Sequence, residues 1–248
     1  MQQQSLNERL SRITTLWSLV YRAHGGMADD VTSAQKVLME RYGGAIHRYL
    51  LGALRDPHAA DDLFQEFSLR FLRGDFKNAN PQRGRFRDFV KTSVFHLIVD
   101  HQKRKQKQAA PLPSEVGDRA ASPAGTVSEE EFLASWREEL LDRTWLALQA
   151  FEQETAQPYY TVLRFRTDQP MLSSEAMAEQ IGTRLGKTYK VDAFRQTLHR
   201  AREKFADLLL EEVEQSLEHV GRERLDEELA DLGLLTYCRG ALERRDRK

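Results

Sequence analysis

The stretch RGRFRDFVKTSVFHLIVDHQKRKQK, residues 83–107, decides the fold. Its apolar residues Phe86, Phe89, Val90, Val94, Leu97 and Ile98 recur at three- and four-residue steps. That spacing places them on one face of an α-helix. Arg83, Arg85, Arg87 and Lys91 flank the stripe, and Lys103, Arg104, Lys105 and Lys107 follow it. Such a helix can bury one face in a core while its cations attract a polyanion. The same charges equally suit a solvated end on a core helix.

Upstream, residues 32–54 repeat the helical spacing through Val37, Leu38, Tyr42, Ile46, Tyr49, Leu50 and Leu54, with Thr32 or Ser33 as a cap. Gly43-Gly44 in mid-helix costs about 1 kcal/mol per glycine relative to Ala and predicts a kink or a close helix contact. Asp56 then serves as N-cap, and Pro57 opens the next helix. Residues 58–73 turn Ala60, Leu63, Phe64, Phe67, Phe71 and Leu72 inward, and Gly74 ends the run. Before all of this, residues 1–30 carry a weak amphipathic pattern through Leu10, Ile13, Leu16, Trp17 and Val20.

Downstream, AAPLPSEVGDRAASPAGTVS at 109–128 is rich in Pro, Ala, Ser and Gly and reads as a linker. A second helical block begins near Glu129, with Phe132, Leu133, Trp136, Leu140, Leu141, Trp145 and Leu148 inside. Residues 159–165 make a further helix. Ser173 or Ser174 caps another, through Met177, Ala178, Ile181 and Leu185. Residues 193–217 form one long helix on Phe194, Leu198, Ala201, Phe205, Leu208 and Leu209, and the tail adds a short acidic one. No strand pattern appears. The expected fold is all-α, with two small helical domains on a flexible linker. The divisions are an extension at 1–30, a first domain at 31–108, the linker at 109–128, a second domain at 129–213 and an acidic extension at 214–248.

The net charge of -1, from 37 Lys and Arg against 38 Asp and Glu, hides segregation. Residues 83–107 and 184–204 are basic, and the tail is acidic, so a polyanion partner stays open. An acidic tail over the 184–204 patch would act as a lid. The single cysteine, Cys238, allows neither an internal disulfide nor a multi-cysteine zinc site and points to a reducing, cytoplasmic compartment. Neither a signal-peptide core nor a membrane-length apolar run is present, so no membrane partner is expected. No Gly-rich phosphate loop appears, and no catalytic residue, metal or cofactor is predicted.

Asp61, Asp62 and Glu66 carry three open readings. They suit the positive end of the helix dipole. They also make an acidic docking face for a basic partner. As paired carboxylates they can contribute to a Mg²⁺ site, which usually needs a second acidic cluster.

The run RYGGAIHRYLLGALRDPHAADDLFQEFSLRFLRG resembles the opening of conserved region two of bacterial sigma factors, nearest to the extracytoplasmic-function (ECF) type. Tyr42, Asp56-Pro57, Asp61-Asp62-Leu63, Gln65-Glu66 and Phe71-Leu72 carry the likeness. The resemblance implies that Asp61, Asp62, Gln65 and Glu66 hold core RNA polymerase. It also places the basic helix at the promoter −10 element, implying DNA contacts from Arg85, Phe86, Phe89, Lys91, His96, Lys103 and Arg104. Base stacking on an aromatic face is worth about 1–3 kcal/mol, and cations hold the strand. Core packing is the competing reading for Phe86 and Phe89. Phe89 stands where the family commonly has Trp, His96 where Asn is frequent, and Phe95 where Arg is frequent.

FRQTLHRAREKFADLL resembles the recognition helix of conserved region four, with Leu198-His199-Arg200-Ala201-Arg202 matching its core. Ser174 to Gly182 resembles the preceding helix of a helix-turn-helix. The likeness implies −35 contacts from Arg195, Gln196, His199 and Arg200, with Arg202 and Lys204 on phosphate. A charged solvent face is the competing reading. The turn before this helix is longer than the family's. The implied protein is a non-enzymatic sigma factor whose partners are core RNA polymerase and promoter DNA, with an anti-sigma factor or other regulator as a further candidate. The rivals are a stand-alone helix-turn-helix regulator and an all-α Mg²⁺ enzyme using Asp56, Asp61, Asp62 and Glu66.

Overall fold

A computed structural model describes residues 28–73, 75, 85–109, 128–186, 188–217 and 221–247. Among these the secondary structure is helical throughout. The helices are α1 (Ala28–Leu54), α2 (Pro57–Arg73), α3 (Phe86–Ala109), α4 (Glu129–Thr155), α5 (Tyr159–Asp168), α6 (Ser174–Arg184), α7 (Val191–Glu214), α8 (Arg222–Asp231) and α9 (Leu235–Asp246). The expected helix within 1–30, the Gly74 stop and nearly all of the linker lie outside the described residues.

The chain divides into two compact units. One holds the described residues up to Glu139 together with Gln215–Arg224, and the other holds Leu140–Glu214 with Leu225 onward. The division falls inside α4.

In the first unit α1, α2 and α3 pack pairwise. The α3 stripe is buried at Phe86, Val90, Val94, Leu97 and Ile98. Leu38, Tyr42, Ile46, Tyr49 and Leu50 of α1 and Leu63, Phe67 and Phe71 of α2 are buried with it. Leu72 and Val37 depart from the expected inward face and are exposed. Arg87, read among the flanking cations, is only 4% exposed. The helix expected to start at 32 begins at Ala28, so Thr32 and Ser33 lie within it.

The α1–α2 junction forms as its residues dictate. The Asp56 Oδ1 accepts from the backbone N–H groups of His58 and Ala59 at 3.1 and 3.2 Å. The glycine pair marks close approach. A Cβ on Gly43 would meet Phe64 Cζ at 3.2 Å, and one on Gly44 would collide with Glu139 Oε2.

In the first half of α4, Phe132 and Trp136 are buried. Trp136 stacks on Tyr42 at 4.7 Å and Phe132 meets Tyr49 edge-on at 4.9 Å. Arg48 pairs with Glu139 at 2.7 Å, and Lys91 with Glu129 at 2.6 Å. These residues seal the aromatic core of the first unit.

The second unit is organised on α7, against which α5, α6 and α9 pack. Phe194, Leu198, Ala201, Phe205, Leu209, Leu210 and Val213 line its buried face. Ser173 caps α6 by accepting from the Ala176 N–H at 3.3 Å. The tail packs into the core of this unit. Leu225, Leu229, Leu232, Leu234, Cys238, Ala241 and Leu242 are buried, and Arg244 pairs with Glu203 and Asp207 of α7 at 3.1 and 2.8 Å. Its leucines join the core and its arginines meet the acids of α7.

Candidate functional site

The first surface runs along α2 and the C-terminal half of α3. Leu63, Phe67 and Phe71 fix α2 in the core, so Asp61, Asp62 and Gln65 face outward and are exposed. The carboxylate of Asp61 takes a hydrogen bond from His47 Nε2 at 2.8 Å. Asp62 has no ion-pair partner among the described residues. Glu66 differs from both. Arg70 holds one of its oxygens at 2.6 Å and Arg104 the other at 3.1 Å. Burial opposes ionisation of Glu66, but the hydrogen bonds and charges of Arg104 and Arg70 outweigh it and hold the carboxyl below its usual value of 4.5. Asp56, Asp62, Glu66, His101, Arg104 and Lys105 line a groove of about 460 Å³ between α2 and α3. Among the described residues no three His, Cys, Asp or Glu side chains converge as a metal site.

The −10 candidates divide sharply. Phe86 lies in the core, 5.5 Å from the Tyr42 ring and 6.2 Å from Trp136. Packing is therefore the role its contacts describe. Phe89 is half-buried beside Phe86, 6.3 Å away, and Arg85 is half-buried at the head of α3. Phe95 and His96 are exposed neighbours, their rings 6.2 Å apart. Lys91 is tied to Glu129 and Arg104 to Glu66, whereas Lys103 is exposed.

Residues 38–108 match the family model described as Sigma-70 region 2. The chain carries a sigma-70 region 2 domain. The matched span contains the acidic α2 face and the basic α3 helix. The match is to that domain and covers residues 38–108 of the chain's 248. Comparisons with curated proteins and with solved structures give no match. Among the described residues no helix is long and apolar enough to cross a membrane.

Beyond the region 2 domain, α7 sorts its residues by face. Arg195, Gln196, His199, Arg200 and Arg202 are exposed, opposite buried Phe194, Leu198, Ala201 and Phe205. Arg195 contacts Glu175 at 3.5 Å and Asp192 at 3.7 Å, and His199 lies 3.7 Å from Glu203. Arg200 has no such partner among the described residues. Lys204 is drawn over the Phe151 ring at 4.6 Å. The pairings of Glu66 with Arg104 and of Arg195 with Glu175 join residues from different helices. Helical periodicity reports only which residues share one helix, so it gave no sign of either.

Proposed function

We propose that the chain is an ECF-type sigma factor that binds core RNA polymerase and directs it to promoters. The observation that carries this reading is the Sigma-70 region 2 match over the helices with the exposed acidic and basic faces. Asp62, Gln65 and Asp61 provide the polymerase-docking face, because Glu66 is already neutralised by two arginines. The −10 strand is met by Phe89, His96 and Lys103, with Lys91 and Arg104 joining once released from their carboxylates. In this reading 31–108 is the region-two domain, 129–213 a region-four helix-turn-helix and 109–128 the tether. Arg195, Gln196, His199 and Arg200 read the −35 element, the protein works in the cytoplasm, and an anti-sigma factor is a candidate regulator.

Reconstitution tests it. Core polymerase plus this chain should start transcripts at discrete sites that core alone does not use. Asp62→Lys should abolish co-elution with polymerase while the helical circular dichroism stays unchanged. Unaltered co-elution overturns the docking assignment. Tight, sequence-specific duplex binding by the isolated chain would favour a stand-alone regulator instead.

A further inference from the structure

The second unit contains a cavity of about 490 Å³ formed by α4, α5, α7 and the C-terminal extension. That volume falls in the range of small-molecule sites, roughly 300–1,000 Å³. Three rings organise its wall. Trp145 lies 4.7 Å from Phe205, and Tyr237 meets Phe205 edge-on at 6.0 Å. Leu163 and Leu234 extend the apolar lining.

Two arginines, Arg166 and Arg202, also line it. The half-buried Arg166 donates to the Leu172 carbonyl at 2.9 Å and lies 3.7 Å from Met177 Sδ, both uncharged acceptors. Arg202 is exposed at the cavity. Among the described residues no carboxylate lies within ion-pair distance of either guanidinium. The other arginines described on α7 and α9 include several held by acids, such as Arg195, Arg244 and Arg245. Two uncompensated cations beside an aromatic wall call for an anion with an apolar body.

We propose that this cavity binds a small aromatic or aliphatic carboxylate, its acid group held by Arg202 and Arg166 and its apolar body against Trp145, Phe205 and Tyr237. The Tyr237 phenol lines the cavity and, protonated at neutral pH as tyrosines ordinarily are, adds a donor. The site joins α7 to the C-terminal extension, and it stands independently of the sigma reading.

Calorimetric titration of the full chain with 1-naphthaleneacetate and decanoate, beside the neutral isostere 1-naphthaleneacetamide, tests it. One acid or both should bind at a single site, with the amide at least about tenfold weaker than naphthaleneacetate. Arg202→Gln, at an exposed position, should bring the acid down to the amide's affinity and leave the amide unchanged. Thr167→Trp, which fills the cavity, should abolish both. Equal affinities of acid and amide, unchanged acid binding in Arg202→Gln, persistent binding in Thr167→Trp, or no binding by either acid at millimolar concentration would each overturn the proposal.

Discussion

Glu66 and Asp62 lie one helical turn apart and have opposite fates. Asp62 keeps its charge available, while Glu66 spends its charge on Arg70 and Arg104. The depressed Glu66 pKa has a definite sign in stability. A carboxyl whose folded pKa lies below its unfolded value stabilises the fold fully above the unfolded value, near 4.5, and loses that contribution as pH falls through the folded one. Acid titration of helicity should therefore show wild type losing stability relative to Glu66→Gln as the pH drops below about 4.5. Parallel curves for the two proteins would show that the bridge contributes nothing. On α7, Arg200→Ala should weaken promoter binding by about 1–3 kcal/mol and relax specificity at one base position if Arg200 reads a base edge. A uniform loss across sequences would place it on phosphate. The acidic residues of α2 were legible as a motif. Which of them remained available was not, because Arg104 reaches Glu66 from 38 positions away.

Among the elements, α4 is where a linear reading falls short. Its apolar spacing correctly gave a helix from Glu129 and the inward positions Phe132 and Trp136. Periodicity names a buried face but not the surface that buries it. Glu129 through Glu139 cluster with the first unit, beyond a span that composition marks as linker. The fit is an aromatic one. Trp136 lies flat on Tyr42, and the Tyr49 phenol is pushed up to about 12, by burial and then by Glu131 and Glu129. Trp136→Ala should cost about 3–5 kcal/mol in urea unfolding, since it leaves a cavity in a closed core. Trp136→Phe should cost far less, because Trp136 Nε1 is buried without an acceptor among the described residues. Equal losses in the two variants would show that the indole nitrogen is bonded after all. Gly43-Gly44 was read as a kink or a close contact, and contact explains it. Gly44 leaves room for the Glu139 carboxylate that Arg48 holds.

For the whole chain, helical class and most helix bounds followed from apolar spacing, but the role of the tail did not. Charge segregation suggested a lid over the basic patch. The structure uses the leucines of the tail as core and its arginines as partners for the acids of α7. Net charge counts residues without regard to which face of a helix they occupy, so it missed both. The packing predicts alkaline sensitivity. Cys238 and Tyr237 are both raised to about 12, with burial the largest cause for each. An acid whose folded pKa exceeds its unfolded value stabilises the fold below the unfolded pKa and loses that contribution as pH rises. For Cys238 the window opens near 9 and extends to about 12. Chemical denaturation across that window should show stability falling, and Cys238→Ala should flatten the curve.

The buried lone thiol has one more use. Only a thiolate attacks an alkylating reagent, and at neutral pH the folded chain presents almost none. Labelling must then wait for α9 to lift away from α7, so the rate of dye incorporation becomes a stopwatch for that local opening.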